Sequence, residues 1–346
     1  MHLQTRLYSF GFNAFQQTGS KSVITKSPTC HTNIRKLLFA SWETTIVIDD
    51  EGELIIWGFQ PCWFEKFKKL CKDKEIQSIF GDPNELLGII DQEQKLSYVT
   101  ADKTRWNDCE SQVRQAVYCT RLHSIFILKE TSDEVYQYDV RNEKSQLLDT
   151  LPPVKSLAAS NSHVLFLTYS LDAPVYGLGS NRLSQLGMDY QQQEIQQPMM
   201  IDYFCGLGEA SYVSCGPFHS AVIINGDVYT FGWSKDGRLG SGHTQGDDDI
   251  VSLVEFLDVN DQPIDVHAMK VVCGSTHTLV LDKNGTVWSC GSDQYSQLGR
   301  ELKDTEKGVK SDFYFRACTL FDSKTEHAID CSAGRWTSFI MTVKLR

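Results

Sequence analysis

The feature that most constrains this chain is a unit that recurs along its 346 residues. The clearest copies start at Cys215-Gly216 and Cys273-Gly274, and a histidine follows three residues after each glycine. Each copy continues through an apolar run, an Asn-Gly turn and a second short strand, and ends in a loop that closes on Leu-Gly. Because two apolar strands joined by a glycine turn are typical of a hairpin, the repeat predicts a propeller of hairpins.

The number of units follows from the turn positions that align with Gly216 and Gly274. The upstream copies match less closely, and the first three are short and eroded. The aligned turns fall at positions 41, 81, 120, 160, 216, 274 and 333. We therefore expect seven blades.

The two ends of the chain test this count independently. The seventh unit stops at residues 339–343, which leaves no room for a second hairpin. The missing half resembles residues 7–19, whose strand and Gly-rich loop match residues 228–240 in style. We therefore predict an all-β fold, a seven-bladed β-propeller closed by pairing of the N-terminal strands with the C-terminal blade. We expect one domain over residues 1–346.

Composition narrows the classes of function. A formal net charge of −11 argues against general nucleic-acid binding, which needs a surplus of Lys and Arg. No apolar run approaches the length of a membrane span, and the polar N-terminus lacks a signal-peptide core. Eleven cysteines without a C-x-x-C pair disfavour a disulfide framework and a zinc site. We expect a monomer in the cytoplasm or nucleus that binds neither nucleic acid nor membrane.

A search for catalytic motifs finds none. The chain has no G-x-S-x-G, P-loop, H-E-x-x-H or dinucleotide fingerprint, so we expect no enzyme activity and no cofactor. Histidines recur at positions 123, 163, 219 and 277 and could suggest a metal ring. Ligands from different blades would lie too far apart for one ion, so no metal is expected. We predict instead that each histidine bonds to backbone within its own blade.

Residues 59–75 depart from the repeat and predict a short amphipathic helix. Its apolar positions at helical spacing are Trp63, Phe67, Leu70 and Cys71. Lysines at 66, 68, 69, 72 and 74 face elsewhere. Two interpretations stay open: the helix docks a partner, or its apolar stripe packs on the propeller rim and the lysines are solvated.

Two further departures are loops. Residues 241–267 contain the acidic run Asp247-Asp248-Asp249, which could meet a basic partner. A calcium site there is disfavoured because the spacing is not that of an EF-hand. Residues 300–315 carry mixed charge and predict a surface loop whose end, 312–315, re-enters the blade. The candidate partner-binding residues are Trp63, Phe64, Lys66, Lys68, Lys69, Asp247, Asp248 and Asp249.

These repeats resemble the regulator-of-chromosome-condensation family, whose pattern is C-G-x-x-H-T, an apolar strand, G-x-V-Y/W-x-x-G and a loop ending in G-Q-L-G. Residues 154–301 and 7–19 match it best. Small single-propeller members are the most similar. The resemblance implies a non-enzymatic propeller that binds another protein, as an adaptor or regulatory subunit of a chromatin-modifying enzyme or of a diphthamide-pathway protein. The alternative is a guanine-nucleotide exchange factor for a small Ran-like GTPase. A ubiquitin-ligase-associated propeller is a third class.

Overall fold

The computed structural model describes residues 5–102, 107–242, 250–302, 310–322 and 324–344. Its strands form seven antiparallel sheets, and each sheet contacts the next around a central channel. The chain is a seven-bladed β-propeller, as the repeat count predicts. Strands within a blade are called A to D from the channel outward. Within the described ranges, no helix is long and apolar enough to cross a membrane.

The blades follow one another in chain order. Blade 1 contains β3 (Ile34–Ala40), β4 (Thr44–Asp49) and β5 (Leu54–Gly58). Blade 2 contains β6 (Ile76–Asp82), β7 (Leu86–Asp91), β8 (Leu96–Thr100) and β9 (Asn107–Glu110). Blade 3 contains β10 (Val113–Cys119), β11 (Ser124–Lys129), β12 (Val135–Asp139) and β13 (Lys144–Leu147). Blade 4 contains β14 (Val154–Ala159), β15 (His163–Thr168), β16 (Val175–Ser180) and β17 (Glu194–Met200).

The best-matching repeats form the next two blades. Blade 5 contains β18 (Ala210–Cys215), β19 (His219–Ile224), β20 (Asp227–Gly232) and β21 (Val251–Leu253). Blade 6 contains β22 (Ala268–Cys273), β23 (His277–Asp282), β24 (Val287–Ser292) and β25 (Ser311–Ala317). The start of β25 confirms that residues 312–315 re-enter the blade. Two 3-10 turns, Asp202–Phe204 and Lys235–Gly237, lie in the connections.

Blade 7 joins the two ends of the chain. It contains β26 (Glu326–Ala333), β27 (Thr337–Lys344), β1 (Thr5–Phe12) and β2 (Ile24–His31), in the spatial order β26-β27-β1-β2. The carboxylate of Glu326 is buried between the two halves, where it pairs with Arg6. It also accepts hydrogen bonds from Tyr8 (3.0 Å) and Thr342 (2.9 Å). The predicted closure is confirmed.

Close contact between neighbouring turns explains the repeated glycine. A Cβ added to Gly216 would lie 2.4 Å from the carbonyl oxygen of Gly274, and one added to Gly334 would lie 2.4 Å from that of Ser41. Real Cβ atoms do not approach carbonyl oxygens so closely. Neither glycine is held by a positive φ, so space rather than backbone conformation excludes a side chain here.

Three buried histidines link successive blades. Nε2 of His163 lies 2.7 Å from the hydroxyl of Ser220 in blade 5. The same contact joins His219 to Thr278 (2.7 Å), and His277 to Ser338 (2.9 Å). Each hydroxyl donates its only proton to a loop carbonyl, so each Nε2 must donate to the hydroxyl. The expectation that each histidine bonds to backbone within its own blade is therefore wrong, because Nε2 reaches a hydroxyl of the neighbouring blade. Within its own blade, Nδ1 of His163 lies 2.9 Å from the hydroxyl of Ser160 rather than from backbone.

Burial holds these histidines in their neutral form. It lowers the pKa of His163 and of His277 to about 3, and the charge of Arg238 adds to the effect at His277. Burial also places the pKa of His219 well below its usual range. His123 is not equivalent to them, because it lies in a turn with φ of 46° and Ser124 begins the strand in its place.

The predicted helix is present as α1 (Phe64–Cys71). Its side chains Phe64, Phe67, Leu70 and Cys71 are buried, as is Trp63 just before it. They pack against Ile46 and the partly buried Ile56 of blade 1 and against blade 2. The apolar stripe therefore packs on the propeller, as one of the two interpretations requires.

Candidate functional site

The propeller has two faces with different connections. Strands A and C run in the same direction, so the A–B turns and the C–D loops meet at one face, which we call the upper face. The B–C turns and the links between blades lie at the other, the lower face. Loops on a rigid frame are where binding residues concentrate. The upper face carries the densest cluster of partly exposed aromatic rings in the described chain.

Five rings from three blades form this cluster, which we call the aromatic patch. Its members are Phe12, Phe15, Trp42, Tyr295 and Trp336, all partly exposed. Ring centroids of Phe12 lie 5.0 Å from Tyr295 and 5.6 Å from Trp336, and Trp42 lies 5.8 Å from Trp336 and 6.0 Å from Phe15. Most pairs are edge-to-face, an arrangement worth about 0.5–1.5 kcal/mol each beyond area burial. The rings therefore hold one another in place.

A cation and an exposed ring border the patch. The guanidinium of Arg335 lies 5.0 Å from the ring centroid of Trp42. Arg335 has no ion-pair partner among the residues that the structure describes. Phe59 is 43% exposed and lies 6.4 Å from Phe15. Aromatic rings beside an arginine are the side chains that dominate protein interfaces.

A second cation–aromatic cluster lies on the upper face at blade 5. Arg238 is almost fully buried and donates to the carbonyls of Lys235 and Ser275, each at 2.7 Å. Its guanidinium stacks 4.8 Å from the ring centroid of Trp233, and the ammonium of Lys235 lies 5.3 Å from the same ring. Burial lowers the pKa of Arg238. Since Ser275 belongs to blade 6, Arg238 joins two blades.

The A–B turns surround a shallow depression of about 290 Å³ at the mouth of the channel. Its wall includes the buried carboxylate of Glu43, which accepts a hydrogen bond of 2.7 Å from Asn84. Nearby, Tyr118 donates to Glu85 at 2.9 Å, and burial with this carboxylate raises the pKa of Tyr118. Arg335 lines the same depression. The depression is small and of mixed charge, which suits one inserted side chain of a partner.

The candidates predicted around the helix do not share the upper-face site. Trp63 and Phe64 are buried, so their rings are not available at the surface. Lys68 and Lys69 are exposed, and Lys68 pairs with Glu65 at 3.0 Å. Lys66 is partly exposed. The lysines stay candidates, at a surface separate from the aromatic patch.

The acidic candidates Asp247, Asp248 and Asp249 lie outside the described residues. Asp258 and Asp261, further along the same loop, are engaged within the chain. Asp258 accepts bonds from the backbone of Asn260 and Gln262, and Asp261 pairs with Arg316 at 2.6 Å. Across the described ranges, no group of three metal-ligating side chains comes together.

Sequence reasoning missed the aromatic patch, although part of its signal was present. The A–B turns of blades 1 and 7 read Ser-Trp-Glu-Thr at 41–44 and Gly-Arg-Trp-Thr at 334–337. Each turn contains a tryptophan. At the equivalent positions the best-matching repeats have a small residue, a proline or Phe218. The first and last blades therefore share a difference from the repeat. Because these blades become neighbours when the ring closes, that difference indicated where the aromatic patch lies.

Comparison with known proteins agrees with the fold. Two profiles of the regulator of chromosome condensation (RCC1) repeat match residues 225–281 and 270–297. The chain thus carries RCC1 repeats within its seven-bladed β-propeller.

Similarity to individual proteins is limited to part of each. The mouse (Mus musculus) secretion-regulating guanine nucleotide exchange factor is 34% identical over 133 residues, which are 38% of this chain and 27% of that protein. The RCC2 homolog of Danio rerio is 35% identical over 141 residues, 40% of this chain and 26% of that protein. The chain therefore spans about a quarter of these relatives' length.

Solved structures support the complete ring. Human WBSCR16 superposes with a TM-score of 0.76 at 14% identity, covering 99% of this chain and 100% of that one. Prp20p of Saccharomyces cerevisiae, described with its binding to Gsp1p and histones, superposes with a TM-score of 0.73 at 14% identity, covering 100% of this chain and 93% of that one. At this identity the likeness shows the fold alone.

Proposed function

We propose that this propeller is a non-enzymatic adaptor or regulatory subunit that binds another protein through the aromatic patch. One observation carries the proposal: partly exposed rings from blades 6, 7 and 1 meet beside Arg335, which has no ion-pair partner in the described chain. Because the rings are already ordered by one another, little side-chain entropy is lost when a partner covers them. Arg335 then supplies a charge-assisted hydrogen bond.

The proposal is tested by measuring how much partner protein co-purifies with variants of the aromatic patch. Tagged protein is purified from its native cells, and recovered proteins are quantified by mass spectrometry. Phe59→Ala with Arg335→Glu, and separately Trp336→Ala, are expected to reduce recovery of the main partner about 30-fold, as loss of a hot spot does. Tyr169→Ala serves as the control, because Tyr169 is 53% exposed in the B–C connection of blade 4, at the lower face.

Unchanged urea midpoints must show that the patch variants fold. If folded variants recover the same partner as the unaltered protein, the aromatic patch is not the binding surface. The identity of that partner also tests the finer proposal, which rests on family resemblance: a chromatin-modifying enzyme or a diphthamide-pathway protein. A basic partner would direct attention to Asp247, Asp248 and Asp249, which stay a prediction.

The second candidate function is nucleotide exchange on a small Ran-like GTPase. It is favoured by the name of the mouse relative, a guanine nucleotide exchange factor that matches 38% of this chain. In this case purified protein would accelerate release of labelled GDP from such a GTPase, and Arg335→Glu would abolish the acceleration. Release at the intrinsic rate would exclude exchange on the GTPase tested and leave the adaptor function.

We further propose that the protein acts in the cytoplasm or the nucleus. Ten of the eleven cysteines are free thiols, as in proteins of reducing compartments.

A further inference from the structure

Blade 1 differs from the other six in its outer strand. Six sheets contain four strands, whereas the described part of blade 1 contains three, ordered β3-β4-β5. After β5 the chain enters α1, which packs over the face of the sheet that carries Ile46 and Ile56. No described strand pairs with the outer side of β5. This strand is therefore an edge.

The hydrogen-bonding groups of this edge can be assigned from one contact. The carbonyl of Ile56 accepts a bond of 3.2 Å from the side-chain amide of Gln60, so it points away from β4. Residues of an antiparallel strand alternate in the direction of their N–H and C=O groups. Leu54 and Ile56 consequently direct their backbone groups outward, whereas Ile55 and Trp57 pair with β4.

This edge is apolar, and no described strand lies beside it. All five residues of β5, Leu-Ile-Ile-Trp-Gly, are half-buried, whereas every residue of the equivalent β8 is buried beside its fourth strand β9. Proteins usually protect such an edge with charge, proline or a covering segment, because it invites another strand. The residues of β5 itself contain neither charge nor proline.

The surroundings of the edge are basic, although the chain carries a net charge of −11. A groove of about 1140 Å³ lies between the start of β5 and α1. Its cations are Arg35, Lys36, Lys68, Lys69, Lys72 and Lys74, and its carboxylates are Glu53, Glu65, Asp73 and Glu75. Among the described residues, Arg35, Lys69 and Lys72 have no ion-pair partner. Burial and the charge of Arg35 lower the pKa of Lys36.

We propose that the outer edge of β5 binds an extended acidic segment of a partner protein as the fourth strand of blade 1, with its carboxylates facing the lysines of α1. Backbone pairing with Leu54 and Ile56 would supply affinity, and side chains on alternate faces would supply specificity. The side chains of the bound segment that face α1 would contact Lys68, Lys69 and Lys72. The side chains on its other face would contact Trp57. The matching segment therefore alternates acidic and apolar residues.

The probe is a fluorescein-labelled eight-residue peptide of alternating valine and glutamate, titrated by fluorescence anisotropy against the full chain. Lys68→Glu with Lys69→Glu and Lys72→Glu is expected to weaken binding at least about tenfold. The matched control reverses three other exposed lysines, Lys144, Lys283 and Lys324, which changes the net charge equally and is expected to preserve most of the affinity.

A second measurement separates strand pairing from charge attraction alone. The same peptide with N-methyl groups on all its amides keeps its charge but has no N–H group to donate along either edge, and it is expected not to bind. Hydrogen exchange at the amides of Leu54 and Ile56 is expected to slow on binding of the unmodified peptide. Arg335→Glu is expected to leave peptide binding unchanged, so failure here and failure of the aromatic patch are distinguishable.

Four outcomes would overturn the proposal. The first is that the peptide does not bind at a concentration of about 1 mM, and the second is that the N-methylated peptide binds equally well. The third is that the two triple lysine variants lose the same amount of affinity. The fourth is that the amides of Leu54 and Ile56 are already protected from hydrogen exchange before peptide is added. In the last case, the molar mass in solution identifies the occupant. A dimer means a second copy of the chain, and a monomer means a segment of the same chain.

Discussion

Lowering the pH from 7 to 5 is expected to reduce the free energy of unfolding by about 2 kcal/mol for each of the three inter-blade histidines. Together they would remove about 6 kcal/mol, a large part of the stability of an ordinary domain. The sign follows from protonation of the unfolded chain. There each imidazole binds a proton near pH 6.5, whereas burial keeps His163, His219 and His277 neutral at much lower pH.

The measurement is urea denaturation at pH 7, 6 and 5. His277→Gln keeps a donor for Ser338 but removes one titrating group, so its stability is expected to fall by about 2 kcal/mol less over this range. The control is His267→Gln, because His267 is exposed and should show the pH dependence of the unaltered protein. Identical pH profiles for the two variants would show that His277 is not the source.

Arg238→Ala is expected to destabilise the propeller by about 3–4 kcal/mol. The substitution leaves the buried carbonyl of Ser275 without a donor, removes the bond to the carbonyl of Lys235 and opens a cavity beside Trp233. It also removes a link between blades 5 and 6.

Arg238→Gln provides the matched variant, because glutamine occupies the same loop position in other blades. Gln17 donates to the carbonyl of Trp42 at 3.0 Å, across the boundary between blades 7 and 1. A glutamine at 238 can restore one such bond, so its cost is expected to be about 1–2 kcal/mol. Urea denaturation of the two variants measures the loss in the free energy of unfolding. A loss below about 1 kcal/mol for Arg238→Ala would contradict the role of Arg238 in joining blades 5 and 6.

The architecture was predictable because its determinants are local. The Asn-Gly turns at 225–226 and 284–285 and the apolar runs beside them specify hairpins, and the incomplete last repeat specifies closure. The equivalence of the four recurring histidines was predicted less well. In blade 3 the turn from Cys119 to Ser124 has the same length as that from Cys215 to Ser220, but His123 adopts a φ of 46° and lies in the turn, whereas His219 begins a strand.

The aromatic patch was not predictable from local patterns. Phe12 and Trp336 are far apart in the sequence and become neighbours only when the ring closes. Similarly, the periodicity of residues 63–71 predicts an amphipathic helix but does not say what covers its apolar stripe. The sequence pattern therefore makes Trp63 and Phe64 candidate partner contacts, whereas in the structure they fill the space between blades 1 and 2.

The pairing of β1 with β27 has a consequence for synthesis. Strand β1 ends at Phe12, whereas its partner begins only at Thr337, so the ribosome must add the whole intervening chain before the two can pair. At about 5–20 residues per second, β1 waits about 15–65 s for that partner. During this interval the apolar side chains Leu7 and Phe10, which are buried in the finished ring, lack their final neighbours. A nascent chain with such exposed apolar side chains is the kind that chaperones bind, and a chain truncated before β26 would leave β1 without its partner strand.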